Sequence, residues 1–396
     1  MKPTLRFPEF TGAWQAKHGD DAFKSRRQRA TEGLPLYSVT MDQGMVRRDS
    51  LDREFASNAP DEANLRVFKD DHVYNMMRMW QGAVGRAPED CMVSPAYVVL
   101  QPKPGTDPAF FDHWFKRRRS IYLLWAYSYG LTSDRLRLYA RDFGRVPMAL
   151  PKSDEQRKIA DFLGSVDERI KLLERRQDAL AQYKTGLMQR LFDRSLRFTR
   201  DDGTAFPDWE ELTLGSVAKF SKGRGISKDD IVADGKVPCI RYGELYTVYG
   251  ARISDVVSKT NSRAESLLFS KPGDVVLPAS GETPLDMPSA SCVLSGGVAL
   301  GGDITVIRSS INGVFLAYLL RSHRRKAVAR LAQGNSVVHL YGAHLATLKL
   351  VIPADPEEQG KIADALGALD DKIAAASSQI KHMQTFKKGL LQQMFV

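Results

Sequence analysis

Apolar residues recur at steps of four and three along two stretches of the chain. In the first they are Ile159, Leu163, Val166, Ile170, Leu173 and Leu180; in the second, Ile362, Leu366, Leu369, Ile373, Ile380 and Met383. Alternating fours and threes make a 3.5-residue period, which is the seam of a coiled coil. Most large apolar residues keep to the seam, so each stretch predicts a long helix with one narrow apolar stripe. Pro151 and Pro353 stand ahead of Asp154-Glu155 and Glu357-Glu358, acidic pairs that suit the positive end of a helix dipole. Each helix extends about 40 residues, or roughly 60 Å at 1.5 Å per residue. A single helix with one such stripe needs a partner. This chain supplies one of matching length, the alternative being a second chain.

The two stretches are copies. EQRKIADFLGSVDERI begins at Glu155 and EQGKIADALGALDDKI at Glu358, and the likeness resumes at Lys184, Gly186, Leu187, Gln189 and Phe192 against Lys387, Gly389, Leu390, Gln392 and Phe395. Lys184 and Lys387 fall where the seam calls for apolar residues, which predicts a seam shift there. The copying extends outside the helices. Leu5-Arg6-Phe7 and Trp14 are matched by Leu196-Arg197-Phe198 and Trp209, and the pairs Leu138-Tyr139 and Leu340-Tyr341 each lead to a proline. Between these markers the sequence diverges, so a repeated frame encloses two different globular parts.

Those parts read as β-rich. VSPAYVVLQP (93–102) and GDITVIRSS (302–310) have the β-branched and aromatic content of strands, and KPGDVVLPASGE (271–282) opens a strand after a Gly-Asp turn, with 69–85 in the same place in the first half. Stretches 110–129 and 314–332 read as helices. The expected architecture is α+β: a globular domain over 1–150, a long helix over 151–194, a second globular domain over 195–352 and a second long helix over 353–396.

The charge balance adds a partner. Fifty-seven Lys and Arg against 47 Asp and Glu leave a net charge of +10, which favours a polyanion, nucleic acid first. Cys91, Cys239 and Cys292 are too far apart in sequence for a zinc site, and three cysteines cannot all pair, so a reducing cytoplasm is expected. MKPTLRFPEF lacks the apolar core of a signal peptide. The most apolar run, Ile121 to Leu131, follows the basic run Lys116 to Arg119; it is too short to span a bilayer and reads as a buried helix.

Catalytic patterns are missing. No GxxxxGK[ST] loop, no strand-borne GxGxxG and no Asn-Pro-Pro-aromatic or Asp-Pro-Pro-aromatic tetrapeptide occurs, and His339 and His344 have no carboxylate set between them as on a zinc-protease helix. Candidate DNA-contacting groups are plentiful. In the first half they are Tyr37, Arg47, Arg48, Arg78, Gln81 and Arg86; in the second, Lys222, Arg224, Lys228, Arg241, Tyr242, Asn335 and His339. Cations on phosphates supply affinity, and Arg, Asn or Gln on base edges supply specificity.

The openings LRFPEF…W and LRF…FPDWEELTLGSVA, the EQ-KIA-LG-D-I helix starts and the K-GL-Q-F helix ends resemble the specificity subunits of type I restriction-modification systems, over the whole chain and in their domain order. That resemblance implies two target-recognition domains, each followed by a long helix, with the helices packed as an antiparallel coiled coil. It implies a non-catalytic subunit on double-stranded DNA, with each domain reading part of a split, asymmetric target. It also implies two methyltransferase subunits using S-adenosylmethionine, and a motor-nuclease subunit using ATP and Mg²⁺. No membrane partner is expected. A stand-alone DNA-binding or architectural protein is the alternative.

Overall fold

A computed structural model describes residues 2–51 and 60–396. The chain forms two compact units: Met1–Arg175 with Ser377–Val396, and Arg176–Ala376. The long helices run Ser153–Phe192 and Pro356–Gln393, so each contributes to both units. The second opens on a proline, whose missing N–H is one of those a helix start leaves unpaired anyway.

In the first unit, Ile159, Leu163, Val166 and Ile170 from the start of one helix share an apolar cluster with Leu390, Met394 and Phe395 from the end of the other. The second unit mirrors this: Leu191 and Phe192 cluster with Ile362, Ala363 and Leu366. In each unit, therefore, the head of one helix meets the tail of the other. Leu173, Leu369 and Ile380 are buried as well, while Leu180, Ile373 and Met383 are half-buried. The two lysines that break the seam reach carboxylates: Lys387 pairs with Asp167 in the first unit, and Lys184 with Asp370 in the second. The repeated Lys and the repeated Asp are thus two ends of one contact, made once per unit.

The other repeated residues also hold the frame. Glu155 accepts two bonds from the Arg6 guanidinium, both 2.7 Å, and one from the Trp14 indole at 3.0 Å. Glu358 accepts two from Arg197, at 3.0 and 2.9 Å. Gln156 accepts from the Asp107 backbone N–H and donates to the Pro151 carbonyl; Gln359 accepts from the Asn312 backbone N–H and donates to the Pro353 carbonyl, all four bonds 2.9 Å. Each Glu-Gln pair so ties a helix start to the opening segment and to the cap of a domain helix. Strand Gln15–His18 pairs antiparallel with Pro147–Leu150, and Trp209–Thr213 with Lys349–Pro353, closing each domain at the helix entrance.

Inside the frame lie the sheets. In the first unit, strands Phe23–Arg26, Tyr97–Pro102, His72–Asn75 and Val84–Arg86 form one sheet in that order. Strands Gly44–Arg47, Leu36–Thr40, Cys91–Val93 and Leu65–Val67 form a second. The second unit has a five-stranded sheet centred on Asp274–Pro278, which is buried along its length, and a four-stranded one. The fold is α+β. All three cysteines are buried and free, and burial pushes the thiols up, to about 12 at Cys91 and Cys292 and about 11 at Cys239.

Three local expectations need correction. The stretch 110–129 is two helices, Pro108–Trp114 and Arg118–Ala126, because Arg117 adopts extended backbone and places its guanidinium 4.8 Å over the Phe395 ring. The stretch 314–332 is likewise Gly313–Arg321 and Arg325–Arg330; the Ser322 hydroxyl bonds back to the Tyr318 carbonyl at 2.6 Å, competing with the helix ladder. The apolar run from Ile121 is not a buried helix. Ser120 and Leu124 turn inward, whereas Tyr122, Trp125, Tyr129 and Leu131 are 61%, 47%, 58% and 94% exposed.

The repeated aspartates meet different neighbours. The Tyr318 hydroxyl donates to Asp370, whereas His113 Nδ1 lies 3.9 Å from Asp167, with no hydrogen-bond partner among the described residues. Burial, helped by the Lys387 charge and against the pull of Asp167 and Asp112, takes the His113 imidazole down to about 4. Its unfolded value is near 6.5. Between those values only the unfolded chain binds the proton, so stability falls as pH drops from about 6.5 to about 4. The expected result is that His113→Gln flattens this loss, by on the order of 1–3 kcal/mol. Denaturant unfolding at pH 7.5 and pH 5 checks it; equal pH sensitivity in both proteins would refute it.

Candidate nucleic-acid interface

Sequence-predicted residues fall into three groups. Some are consumed by the fold. Tyr37 lies on strand Leu36–Thr40, 5% exposed, and its hydroxyl donates to Glu89 at 2.7 Å. Burial and that bond push the hydroxyl up to about 12. Arg86 closes strand Val84–Arg86 and is held by Asp70 at 2.8 Å and Asp112 at 2.9 Å. Arg241 pairs at 3.1 Å with the buried Glu244. The charges of Arg86 and Arg241 are matched by carboxylates of their own domains, which limits what they can offer a phosphate.

A second group is exposed but paired. Arg47, at the end of strand Gly44–Arg47, sits 3.1 Å from Asp49, and Lys222 sits 3.2 Å from Asp303. Such surface pairs are worth about 0–1 kcal/mol, so a phosphate can displace them. Arg48 is half-buried at the start of a short turn.

The third group is exposed. Arg78 precedes the single turn Met79–Gln81 and Gln81 ends it. Arg224 and Lys228 follow strand Ala218–Lys222. Gly223, between Lys222 and Arg224, has the Gly301 carbonyl 2.0 Å from where a Cβ would stand, so only glycine lets these strand ends meet. The Gly301 N–H donates to the Ile240 carbonyl, which brings Arg224 near the Arg241-Tyr242 segment. Tyr242 is 38% exposed, with the Tyr246 ring 6.3 Å away. Asn335 is exposed in a turn bridged between Gln333 and His339, and the half-buried His339 ring stacks on Tyr341 at 6.1 Å. The duplicated Leu-Tyr pairs split by role: Leu138 and Leu340 are buried, while Tyr139 and Tyr341 are 45% and 52% exposed.

A groove of about 710 Å³ in the first unit separates the segment 41–45 and Arg86 from the first long helix. Its lining holds six carboxylates and four Lys or Arg, among them Asp70, Asp112, Asp167 and Glu174. That balance repels phosphate, so the exposed cations outside it form the better nucleic-acid surface. Among the described residues no cluster of His, Cys, Asp or Glu is arranged to hold a metal, and no helix is long and apolar enough to cross a membrane.

A family model described as the type I restriction modification DNA specificity domain matches residues 17–182 and again 207–382. The MjaVIII type I restriction enzyme specificity subunit of Methanocaldococcus jannaschii is 22% identical over 272 residues, 63% of this chain and 61% of that relative. The MjaIX specificity subunit of the same organism is 21% identical over 353 residues, covering 87% of this chain and 81% of the relative. The fold matches the crystal structure of a type I restriction-modification S subunit from M. genitalium with a TM-score of 0.62, at 16% identity and over 100% and 99% of the two chains. It also matches the HsdS subunit from Thermoanaerobacter tengcongensis with a TM-score of 0.50, at 16% identity and over 98% and 97%.

Proposed function

The chain belongs to the type I restriction modification DNA specificity family, whose domain it carries twice, and from that premise we propose how it works. It is a DNA sequence-specificity subunit with two recognition domains. Each domain reads one half of a split, asymmetric target, and the long helices pair antiparallel to set the spacer. The subunit performs no chemistry itself. Two methyltransferase subunits dock on the repeated frame and bring S-adenosylmethionine, a motor-nuclease subunit brings ATP and Mg²⁺, and the assembly works in the cytoplasm.

One observation carries this reading: repeated polar residues hold the frame in both units, and the exposed DNA-contacting candidates lie in the sequence that is not repeated. Glu155, Gln156, Asp167 and Lys387 act in the first unit as Glu358, Gln359, Asp370 and Lys184 do in the second. The exposed candidates share cations but otherwise differ: Arg47, Arg78 and Gln81 in one unit, Lys222, Arg224, Lys228, Tyr242 and Asn335 in the other. A frame made twice that carries unlike surfaces suits a partner whose two halves differ in sequence but share a backbone.

Methylation sequencing of a host carrying the chain with its methyltransferase is expected to yield one modified motif in two unlike parts separated by unspecified bases. A continuous motif, or none, would contradict the proposal.

A further inference from the structure

Helix Arg118–Ala126 presents an outward stripe that the frame does not use. Arg118, Tyr122 and Trp125 follow at steps of four and three, the spacing of one helix face, and Tyr129 stands just beyond the helix end. All four are exposed, while Ser120 and Leu124 on the opposite face are fully buried. The Tyr122 and Trp125 rings lie 5.7 Å apart and tilted, a preformed aromatic pair at the surface. Arg118 and Arg119 have no carboxylate partner among the described residues, and the segment 116–131 contains four cations and no carboxylate. The helix packs against the turn Met79–Gln81, where Arg78 and Gln81 are also exposed. A contiguous exposed aromatic pair beside cations with no carboxylate partner has the character of an interaction surface, unlike a single exposed ring.

The second unit has a helix in the same place. Arg325–Arg330 lies between Gly313–Arg321 and the turn bridged by Gln333 and His339; Arg118–Ala126 lies between Pro108–Trp114 and the turn bridged by Tyr129 and Arg137. Its exposed positions are Arg325, Lys326 and Arg330, with no aromatic residue. Basic character is thus common to both helices, and the side chains beside it differ.

We propose that the outward stripe of Arg118–Ala126 contacts double-stranded DNA in the first recognition domain, with Arg118 and Arg119 on phosphates and the Tyr122–Trp125 pair on base edges and sugars. This rests on the proposed DNA-reading function and adds to it the element and side chains that read. Charge selects the occupant: Lys116, Arg118 and Arg119 are exposed with no carboxylate in the segment, which fits a polyanion, and the stripe continues into the surface that holds Arg78 and Gln81. The aromatic pair supplies apolar, sequence-sensitive contact, and the arginines supply affinity blind to sequence. The matching helix of the second unit keeps the cations and changes the reader, as a second, unlike half-site requires.

The test uses the full chain co-expressed with its methyltransferase subunits and a random double-stranded DNA library. Tyr122→Ala with Trp125→Ala is expected to erase base preference in one half-site, leave the other half-site and the spacer unchanged, and weaken binding tenfold or more. Arg118→Gln with Arg119→Gln is expected to weaken binding to all sequences and to reduce the slope of log affinity against log salt by about two. The substituted side chains are exposed, and unchanged thermal unfolding of Trp125→Ala alone confirms that the fold survives. Unchanged motif, affinity and salt slope in both variants, with a wild-type two-part motif, would overturn the stripe assignment and leave the domain-level function standing. Loss of a methyltransferase subunit with the motif intact would also overturn it, assigning the stripe to protein docking. A wild-type chain that selects no motif would overturn both.

Discussion

Replacing Glu155 with alanine is expected to destabilise the first unit by about 3 kcal/mol or more, several times the effect of removing an exposed ion pair. The Glu155 side chain is 3% exposed and is the shared acceptor for the Arg6 guanidinium and the Trp14 indole N–H. Alanine leaves a largely buried cation and a buried donor without partners. Removing one member of a buried pair typically costs about 3–5 kcal/mol, since the remaining charge has neither its partner nor water. The same change at Glu358 is expected to cost less. Arg197 is 28% exposed, still donates to the Phe206 and Pro207 carbonyls, and the Trp209 indole makes no bond that would be lost. Urea unfolding with hydrogen exchange to locate the loss would measure both, and the melting temperature of Glu155→Ala should fall by roughly 6–12 °C. A Glu155→Ala protein within 1 kcal/mol of wild type, or Glu358→Ala as the more damaging change, would contradict the role given to the repeated glutamate.

That prediction depends on a partner 149 residues away, which marks the limit of reading the sequence alone. The seam was legible because a 3.5-residue period is a local property of spacing, and Ile159, Leu163, Ile362 and Leu366 are buried where it puts them. The repeat of Glu-Gln, Asp and Lys was legible as a repeat. Its purpose was not, because Glu155 meets Arg6, and Lys387 meets Asp167, only once the chain has folded. Lys184 and Lys387 looked like faults in the seam for the same reason.

The surface candidates were less legible still. Arg78, Arg86 and Arg241 are equivalent as letters, yet Arg86 and Arg241 are tied to carboxylates and Arg78 is exposed. Tyr37 read as an aromatic beside cations and proves to be a core residue bonded to Glu89. The opposite error fell on Ile121 to Leu131. A short apolar run does not reveal which of its residues face inward, and the helix buries Leu124 while exposing Tyr122 and Trp125. Composition suggested burial there, whereas the arrangement supplied the side chains that the proposed DNA contact needs.

The largest functional effect is expected from the frame rather than from either reader. Under the proposed antiparallel pairing, seven residues added to each long helix preserve the 3.5-residue seam and extend the pair by roughly 10 Å. At 3.4 Å per base pair, that corresponds to about three base pairs of B-DNA. No recognition side chain is altered, so base preference within each half-site should not change. The insertion belongs between Arg176 and Gln177 and between Ser378 and Gln379, in the middle of the two helices and away from the repeated Lys–Asp contacts.

The most direct test of the proposed frame holding two different readers is to select DNA from a random library with the wild-type chain and with this paired insertion, each in complex with the proposed methyltransferase subunits. The expected result is the same two half-sites in both selections, separated in the variant by a spacer about three base pairs longer, in line with the added helix length. An unchanged spacer, or altered half-sites, would contradict the account.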